Sequence, residues 1–504
     1  MDENECVAYS NSSGSATVNS RTILFEDKSK SKMQTRVVYG ALFVLIVAVL
    51  ALVIALAVVA TQNKDTTSGG ADVDGGSSSS GQTGSEGTDL PVVDCSYAAS
   101  NLDKAKCVLD SYPLVDGHND LPYRYRRYSN TAVYTVDLTS DLRKTWNTNL
   151  SHTDIPRLRK GKLGAQFWAC YVPCKSQYKD AVLLSLEQLD VIKKYVTRYP
   201  DTFQWVTTAQ GILDAFKMGK IGSLVGLEGG HSIDSSFGSL RMFYDLGVRY
   251  MTVTHSCNTP WADNWRQDAP DYNETADEKP LGGLTDFGKQ VILEMNRIGM
   301  LVDLAHVAKA TMVSTLAIAR APVIYSHSSA FALCNHYRNV QDDVLKLTKT
   351  NGGLVMVNFY DKYVTCYPMN GTESTLAHVA APYPYPETES MRCWEGQFSQ
   401  GMYVLLNYES HHIDYIKNLI GVDHVGIGAD YDDVSTYPAL FAELVRRGWN
   451  EADLQKLAGR NLIRVLRQAE KVKAEMSHEA PHEDMLPFEV AAPEEVCHTR
   501  LDTW

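Results

Sequence analysis

Four short segments, far apart in the chain, place metal-ligand side chains at the end of an apolar run. They are Asp116-Gly117-His118-Asn119-Asp120, Glu228-Gly229-Gly230-His231, Asp303-Leu304-Ala305-His306 and Tyr325-Ser326-His327. Imidazole nitrogens and carboxylate oxygens are donors that divalent cations take. Strands that each deliver one or two such donors to a common rim are how a barrel assembles a metal site. The chemistry this pattern points to is metal-assisted hydrolysis.

No segment carries that reading alone. His118 and Asp120 are two apart, a spacing that turns both side chains to one side of a strand end. A His-x-Asp triplet in isolation more often makes only hydrogen bonds. Glu228 ends an apolar run and precedes two glycines, which permit a tight turn. Its carboxylate can bridge two cations, although by itself it reads more readily as a cap on the following helix. His306 and His327 close successive runs; a single such histidine is usually a satisfied core residue, but two together with His118, Asp120 and Glu228 favour a metal. Nitrogen and carboxylate donors favour zinc, with manganese, cobalt and iron left open. Asp430 ends Val425-Gly426-Ile427-Gly428-Ala429-Asp430, where it can take a proton from an activated water, with Asp432 and Asp433 as competitors. His255 follows Thr252-Val253-Thr254 and is placed to hydrogen-bond a developing oxyanion. Arg338 can hold a substrate carboxylate in fork geometry, against the plainer reading of a surface ion pair.

The elements that must position these residues are visible as apolar runs alternating with amphipathic stretches. Strand candidates are Pro113–Asp116, Ala165–Tyr171, Ser223–Leu227, Arg249–Thr254, Met300–Leu304, Pro322–Ser326, Gly353–Phe359 and His424–Ala429. Helical stretches such as Leu183–Arg198, Asp286–Ile298 and Ala308–Ala319 lie between them. Eight strands with intervening helices predict a closed (β/α)8 TIM barrel; a doubly wound open sheet is the alternative. No internal repeat of the solenoid kind is present.

The chain has 504 residues and a formal net charge of −13, with no basic patch in its main body, which argues against a nucleic-acid binder. Residues 37–60 are almost entirely apolar and uncharged, long enough at ~1.5 Å per residue to cross a hydrocarbon core of ~30 Å. Arg21, Lys28, Lys30, Lys32 and Arg36 precede this span and only Lys64 follows closely, so the positive-inside rule predicts a cytoplasmic tail, 1–36, and an external body. Residues 61–93 read as a flexible Gly/Ser-rich stalk, 94–472 as the barrel and 473–504 as a C-terminal extension. This is a single-pass type II topology, with a signal anchor in the lipid bilayer of the plasma membrane and an extracellular catalytic domain. Of the ten cysteines, Cys6 precedes the span and Cys95, Cys107, Cys170, Cys174, Cys257, Cys334, Cys366, Cys393 and Cys497 follow it. An odd number in an oxidising compartment leaves one for a bond between chains. Asn149, Asn273 and Asn370 begin glycosylation triplets.

The motifs together resemble the membrane (renal) dipeptidases, peptidase family M19. The resemblance rests on Val115-Asp116-Gly117-His118-Asn119-Asp120, Leu227-Glu228-Gly229-Gly230-His231-Ser232 and the run from Thr254 to Trp265. Asp303-Leu304-Ala305-His306, Ser326-His327-Ser328-Ser329-Ala330 and Arg338-Asn339-Val340 extend it, in family order, from about residue 95 to about 470. It implies an amidohydrolase-type barrel with two zinc ions: His118 and Asp120 on one, His306 and His327 on the other, and Glu228 bridging. It implies substrate-binding roles for His255, Arg338 and Tyr363, and a proton-handling role for Asp430. It also implies disulfides Cys174–Cys257 and Cys334–Cys366, and a homodimer in which Cys497 is the candidate interchain link. The pairing of Cys95, Cys107, Cys170 and Cys393 stays open. Cys497–Trp504 carries no apolar tail to be exchanged for the C-terminal lipid anchor of mammalian relatives, so the N-terminal span is expected to take its place.

The expected activity is hydrolysis of dipeptides at the extracellular face, extended by the resemblance to cysteinyl-glycine, leukotriene D4 and some β-lactams. The rivals are another binuclear metal amidohydrolase and an inactive ectodomain used for adhesion or as a receptor; the latter should lack ligands, and none is missing.

Overall fold

The computed structural model describes residues 90–148, 151, 153–270, 279–366, 400–430, 434–487 and 490. The expected membrane span 37–60, Asn149, Asn273, Asn370, Asp432, Asp433, Cys393 and Cys497 lie outside the described residues. Among the described residues no helix is long and apolar enough to cross a membrane.

Nine strands form one parallel sheet: β1 (Leu114–Asn119), β2 (Leu163–Tyr171), β3 (Phe203–Trp205), β4 (Ile221–Glu228), β5 (Val248–Thr252), β6 (Leu301–Asp303), β7 (Ile324–Tyr325), β8 (Leu354–Val357) and β9 (Val425–Ile427). Their order is β2-β1-β9-β8-β7-β6-β5-β4-β3, and β2 also pairs with β4 from Ala165↔Gly222 to Tyr171↔Glu228. That pairing closes eight strands into a barrel and rules out the open sheet. Each of the eight overlaps one expected run. The addition is β3, which pairs with Ile221–Ser223 before β5 joins β4 at Val225.

The sheet closes because its strands are apolar on both faces, as parallel strands covered by helices must be. Neighbouring residues along each strand join different packing clusters. Val115, Phe167, Leu224, Tyr250, Leu301, Ile324, Leu354 and Met356 pack together, while Leu114, Trp168, Val225, Met251, Val302, Tyr325 and Val355 belong to the other cluster. The rings of Phe167 and Tyr250, from strands that are not adjacent, meet at 4.9 Å, so the first set fills the barrel interior. Tyr250 fits there because residue 226 is glycine: a Cβ at Gly226 would fall 1.8 Å from the Tyr250 ring.

The helices follow from local sequence. Asp286–Ile298 begins where the Thr285 side chain accepts from the Gly288 amide, buries Phe287, Val291, Ile292, Met295 and Ile298, and ends at Gly299 with φ of 80°. The helix over Leu183–Arg198 starts two residues earlier, at Ala181. The third expected helix is shorter than Ala308–Ala319, spanning Lys309–Leu316. Helix Asn461–Glu475 runs across the expected domain boundary at 473, and the segment after it docks on the body: Met476 is buried and Arg241 donates to the His482 carbonyl at 2.9 Å.

Cys174–Cys257 and Cys334–Cys366 are disulfides, as the resemblance implied, and Cys95 pairs with Cys107. Cys170 is a buried free thiol, donating to the Ser185 carbonyl at 3.2 Å.

Candidate metal centre

Every expected ligand sits at or just beyond the C-terminal end of a barrel strand, the face where barrels carry their chemistry. His118 is in β1, with Asp120 just after it. Glu228 is the last residue of β4, and His255, His306, His327 and Asp430 follow β5, β6, β7 and β9. Glu228 is 4% exposed and lies at the centre. Its Oε2 is 3.6 Å from His118 Nε2, and its Oε1 is 3.1 Å from His306 Nε2, 3.6 Å from His327 Nε2 and 3.7 Å from His255 Nε2. The two carboxylate oxygens thus face two different imidazole groups. Asp120 and Asp430 complete the His118 side, 3.6 and 3.9 Å from its Nε2. Gly229 makes the sharp exit from β4, with φ of 115°.

Two imidazoles are held by their outer nitrogens. Tyr250 donates its hydroxyl proton to the Gly117 carbonyl at 3.1 Å, so its oxygen accepts from His118 Nδ1–H, also at 3.1 Å. The Ser326 hydroxyl donates to Asp303 Oδ2 at 2.6 Å and accepts from His327 Nδ1–H at 2.7 Å. Both arrangements turn Nε2 to Glu228 and make it the lone-pair nitrogen of the neutral ring, the form that binds a cation. Asp303 is itself fixed by Thr252 Oγ1 at 2.6 Å and by the amides of Ala305 and Ser326. Asp116 accepts from Tyr437 at 2.6 Å and from the His118 and Ala429 amides. His306 differs: its carbonyl accepts from Thr254 and Trp265, its Nδ1 has no hydrogen-bond partner among the described residues, and its φ is 65°. Asp430 also has a positive φ, 49°. Non-glycine residues held there mark a site whose surroundings over-determine the backbone.

The electrostatics show what this cluster needs. Burial pushes Glu228 up to about 8, against the pull of His118 and with the repulsion of Asp120 and Asp430 added. Burial opposes a charge on His118, yet the Glu228, Asp120 and Asp430 carboxylates raise it to about 10. Burial takes His255, His306 and His327 well below the usual imidazole range, and the positive charge of Arg338 adds to this. A buried carboxylate, two half-buried ones and convergent imidazole nitrogens, with His306 and His327 Nε2 2.9 Å apart, fit a cation-binding site. His118, Asp120 and Glu228 form one candidate group, Glu228, His255 and His306 another, and His118, His327 and Asp430 a third.

Arg338 lies in the loop after β7, is 1% exposed, and has no hydrogen-bond partner for any of its three guanidinium nitrogens among the described residues. Its guanidinium stands 5.3 Å from the centre of the Tyr363 ring. The loops are tied by Asn339, whose Nδ2 donates to the Cys334 and Tyr363 carbonyls, and by the Cys334–Cys366 disulfide. The sequence did not single out Tyr250, Tyr437, Ser326 or Asn339 as supports. A signal existed for Asp116 and Asp303, carboxylates inside apolar runs that must find buried donors.

The family profile described as membrane dipeptidase (peptidase family M19) matches residues 102–480. Dipeptidase 3 of Rattus norvegicus is 38% identical over 409 residues, covering 79% of this chain and 73% of the relative. Dipeptidase 3 of Homo sapiens is 37% identical over 410 residues, with the same coverage of each. Among solved structures, the probable dipeptidase PvdM from Pseudomonas aeruginosa has a TM-score of 0.57 at 20% identity, over 74% of this chain and 99% of that one. A metallo peptidase from Rhodobacter sphaeroides, liganded with a phosphinate mimic of the dipeptide L-Ala-D-Ala, has a TM-score of 0.57 at 22% identity, over 71% and 99%. At these identities the structural likeness concerns the fold.

Proposed function

The chain belongs to the membrane dipeptidase family, peptidase family M19, and is a dipeptide-hydrolysing metallopeptidase; we propose that it works with two zinc ions on dipeptides outside the cell. His118 and Asp120 would hold one ion, His306 and His327 the other, and Glu228 both. The spread of the two Glu228 oxygens over two imidazole groups supports this assignment. Zinc at such a site supplies Lewis acidity to the peptide carbonyl and lowers the pKa of a water ligand to about 7.

The observation that carries the substrate reading is Arg338, a buried cation without a hydrogen-bond partner among the described residues, close enough to the imidazole cluster to shift His306 and His327. A free α-carboxylate one residue beyond the scissile bond is the fitting counter-ion, bound through two parallel N–H···O bonds with Tyr363 packed against the guanidinium. A longer peptide has an amide there and no charge to offer. His255, neutral through burial, donates to the carbonyl oxygen as negative charge develops on it. Asp430 accepts a proton from the attacking water and returns it to the leaving amine. The family resemblance extends the substrates to cysteinyl-glycine, leukotriene D4 and β-lactams.

Release of free glycine from a panel of X-Gly dipeptides, with and without chelator, tests this. Cleavage confined to free dipeptides and abolished by chelation is expected. Equal cleavage of tripeptides or dipeptide amides would move the protein to another class of amidohydrolase. Metal analysis of the same preparation should return two zinc ions per chain.

The proposal includes the topology. Residues 1–36 form the cytoplasmic tail, 37–60 the anchor in the plasma membrane, 61–93 the stalk and 94–472 the external catalytic barrel, with 473–504 following it. Asn149, Asn273 and Asn370 are the glycan sites, and the protein is a homodimer with Cys497 as the candidate link. Replacing 1–64 with a cleavable signal should release active glycoprotein into the medium. A body protected from protease on sealed cells would overturn the orientation, and a covalent dimer surviving Cys497→Ser would remove that residue.

A further inference from the structure

The disulfide Cys174–Cys257 joins the loops after β2 and β5, and the His231 imidazole lies beside it: one ligand atom from each of the three residues falls within 4.8 Å of the others. His231 is 3% exposed. Its Nε2–H donates to the Val172 carbonyl at 3.0 Å, which leaves Nδ1 as the basic nitrogen. That Nδ1 is buried and has no hydrogen-bond partner among the described residues. Burial holds the ring neutral, pushed down to about 4. His255 brings a second imidazole, with Nδ1 3.9 Å from Cys174 Sγ. A disulfide has no use for this surplus of bare nitrogen, because its sulfurs have no proton to give and accept only weakly.

We propose that Cys174, Cys257 and His231 form a latent site for a thiophilic divalent cation such as zinc, opened by reduction of the disulfide, with His255 Nδ1 as the fourth ligand. Cys174 is half-buried, so a small dithiol reaches it from the rim. Two electrons pass from the dithiol to the sulfur–sulfur bond. The bond breaks to two protein thiols, and the reductant closes to its own disulfide. The cation then binds both sulfurs as thiolates and releases two protons. Metal–sulfur bonds of about 2.3 Å and metal–nitrogen bonds of about 2.0–2.1 Å fit side chains this close once the sulfurs part. This site uses none of the proposed ligands of the hydrolytic centre. It does draw on His255, so filling it would take that imidazole out of the cleft.

The test uses purified full-length protein, reduced with a dithiol, desalted without oxygen and divided into samples with and without cobalt. Cobalt should produce thiolate charge-transfer absorption. It should slow alkylation of Cys174 and Cys257 about tenfold, because coordinated thiolates are poor nucleophiles. Cys95, Cys107, Cys334 and Cys366 in the same sample should react at unchanged rates. His231→Gln should lose the protection while keeping the native disulfide and the dipeptidase metals. Equal alkylation with and without cobalt would overturn the proposal, whether the reduced loops stay folded or unravel. Protection that survives His231→Gln would overturn it as well, by assigning the binding to sulfur alone.

Discussion

Ser326 Oγ lies 2.7 Å from His327 Nδ1 while giving its own proton to Asp303 Oδ2 at 2.6 Å. A buried carboxylate thereby sets the tautomer of an imidazole through an intervening hydroxyl, and His327 Nε2 is left bare toward Glu228. Removing the hydroxyl frees the ring to rotate and to carry its proton on either nitrogen. Ser326→Ala should therefore weaken metal binding about 10- to 100-fold, the usual cost of losing such a support. Competition against a chromophoric chelator measures it. Unchanged affinity would show that packing alone orients His327.

Glu228→Gln keeps the shape of the side chain and removes the negative charge between the two imidazole groups. Metal content should fall below that of the parent, and turnover by more than about 100-fold, since a ligand matters at least as much as its supports. Chelation of the parent should mimic this, with activity returning when zinc is restored. A Gln variant that keeps both metals and near-normal turnover would exclude the bridging role.

Arg338→Met leaves a similar volume without the charge. Hydrogen bonds to charged groups are worth about 1.5–3 kcal/mol, so KM for free dipeptides should rise about 10- to 150-fold. Dipeptide amides, which cannot make that contact, should be almost unaffected. The ratio of the two substrates is the readout. An equal loss on both would mean that Arg338 supports the fold of the cleft and does not select the carboxylate.

The barrel was legible because parallel strands buried on both faces write continuous apolar runs, and the ligands could be read because they end those runs. β3 escaped because three residues, Phe203–Trp205, are too few to show a pattern, and pairing with Ile221–Ser223 defines them. The supports escaped for a different reason. Tyr250 reaches His118 across 132 residues, and Tyr437 reaches Asp116 across 321. In sequence neither tyrosine is marked out, and only closure of the barrel gives its hydroxyl a partner. Asp116 and Asp303 read as part of the ligand segments, yet backbone amides and hydroxyls surround them, so they position the rim from below. The Cys95–Cys107 pair needed three dimensions too, since spacing alone offered several partners.

Glu294 gives the fold a pH dependence separate from that of the metal centre. Its fully buried carboxylate accepts two bonds from Arg297 at 2.7 Å, one from Arg241 at 2.9 Å and one from the His482 amide at 3.2 Å. Burial raises its pKa, but the bonds from Arg297 and Arg241 outweigh that and hold it below the ordinary 4.5. A depressed carboxyl contributes stability that is fully present above its unfolded value and disappears as pH falls through its folded value. Breaking a buried ion pair costs about 3–5 kcal/mol, but both guanidiniums here reach solvent, so Glu294→Gln should cost nearer 2 kcal/mol at pH 7. For a domain of this size that is an apparent Tm lower by roughly 2–4 °C. The difference between variant and parent should shrink once the pH falls below 4.5 and the parent carboxyl takes up its proton. Comparing the two proteins at each pH cancels loss of metal and the titration of every other group. A gap that stays constant down to acid pH would show that Glu294 acts through packing and not through its charge.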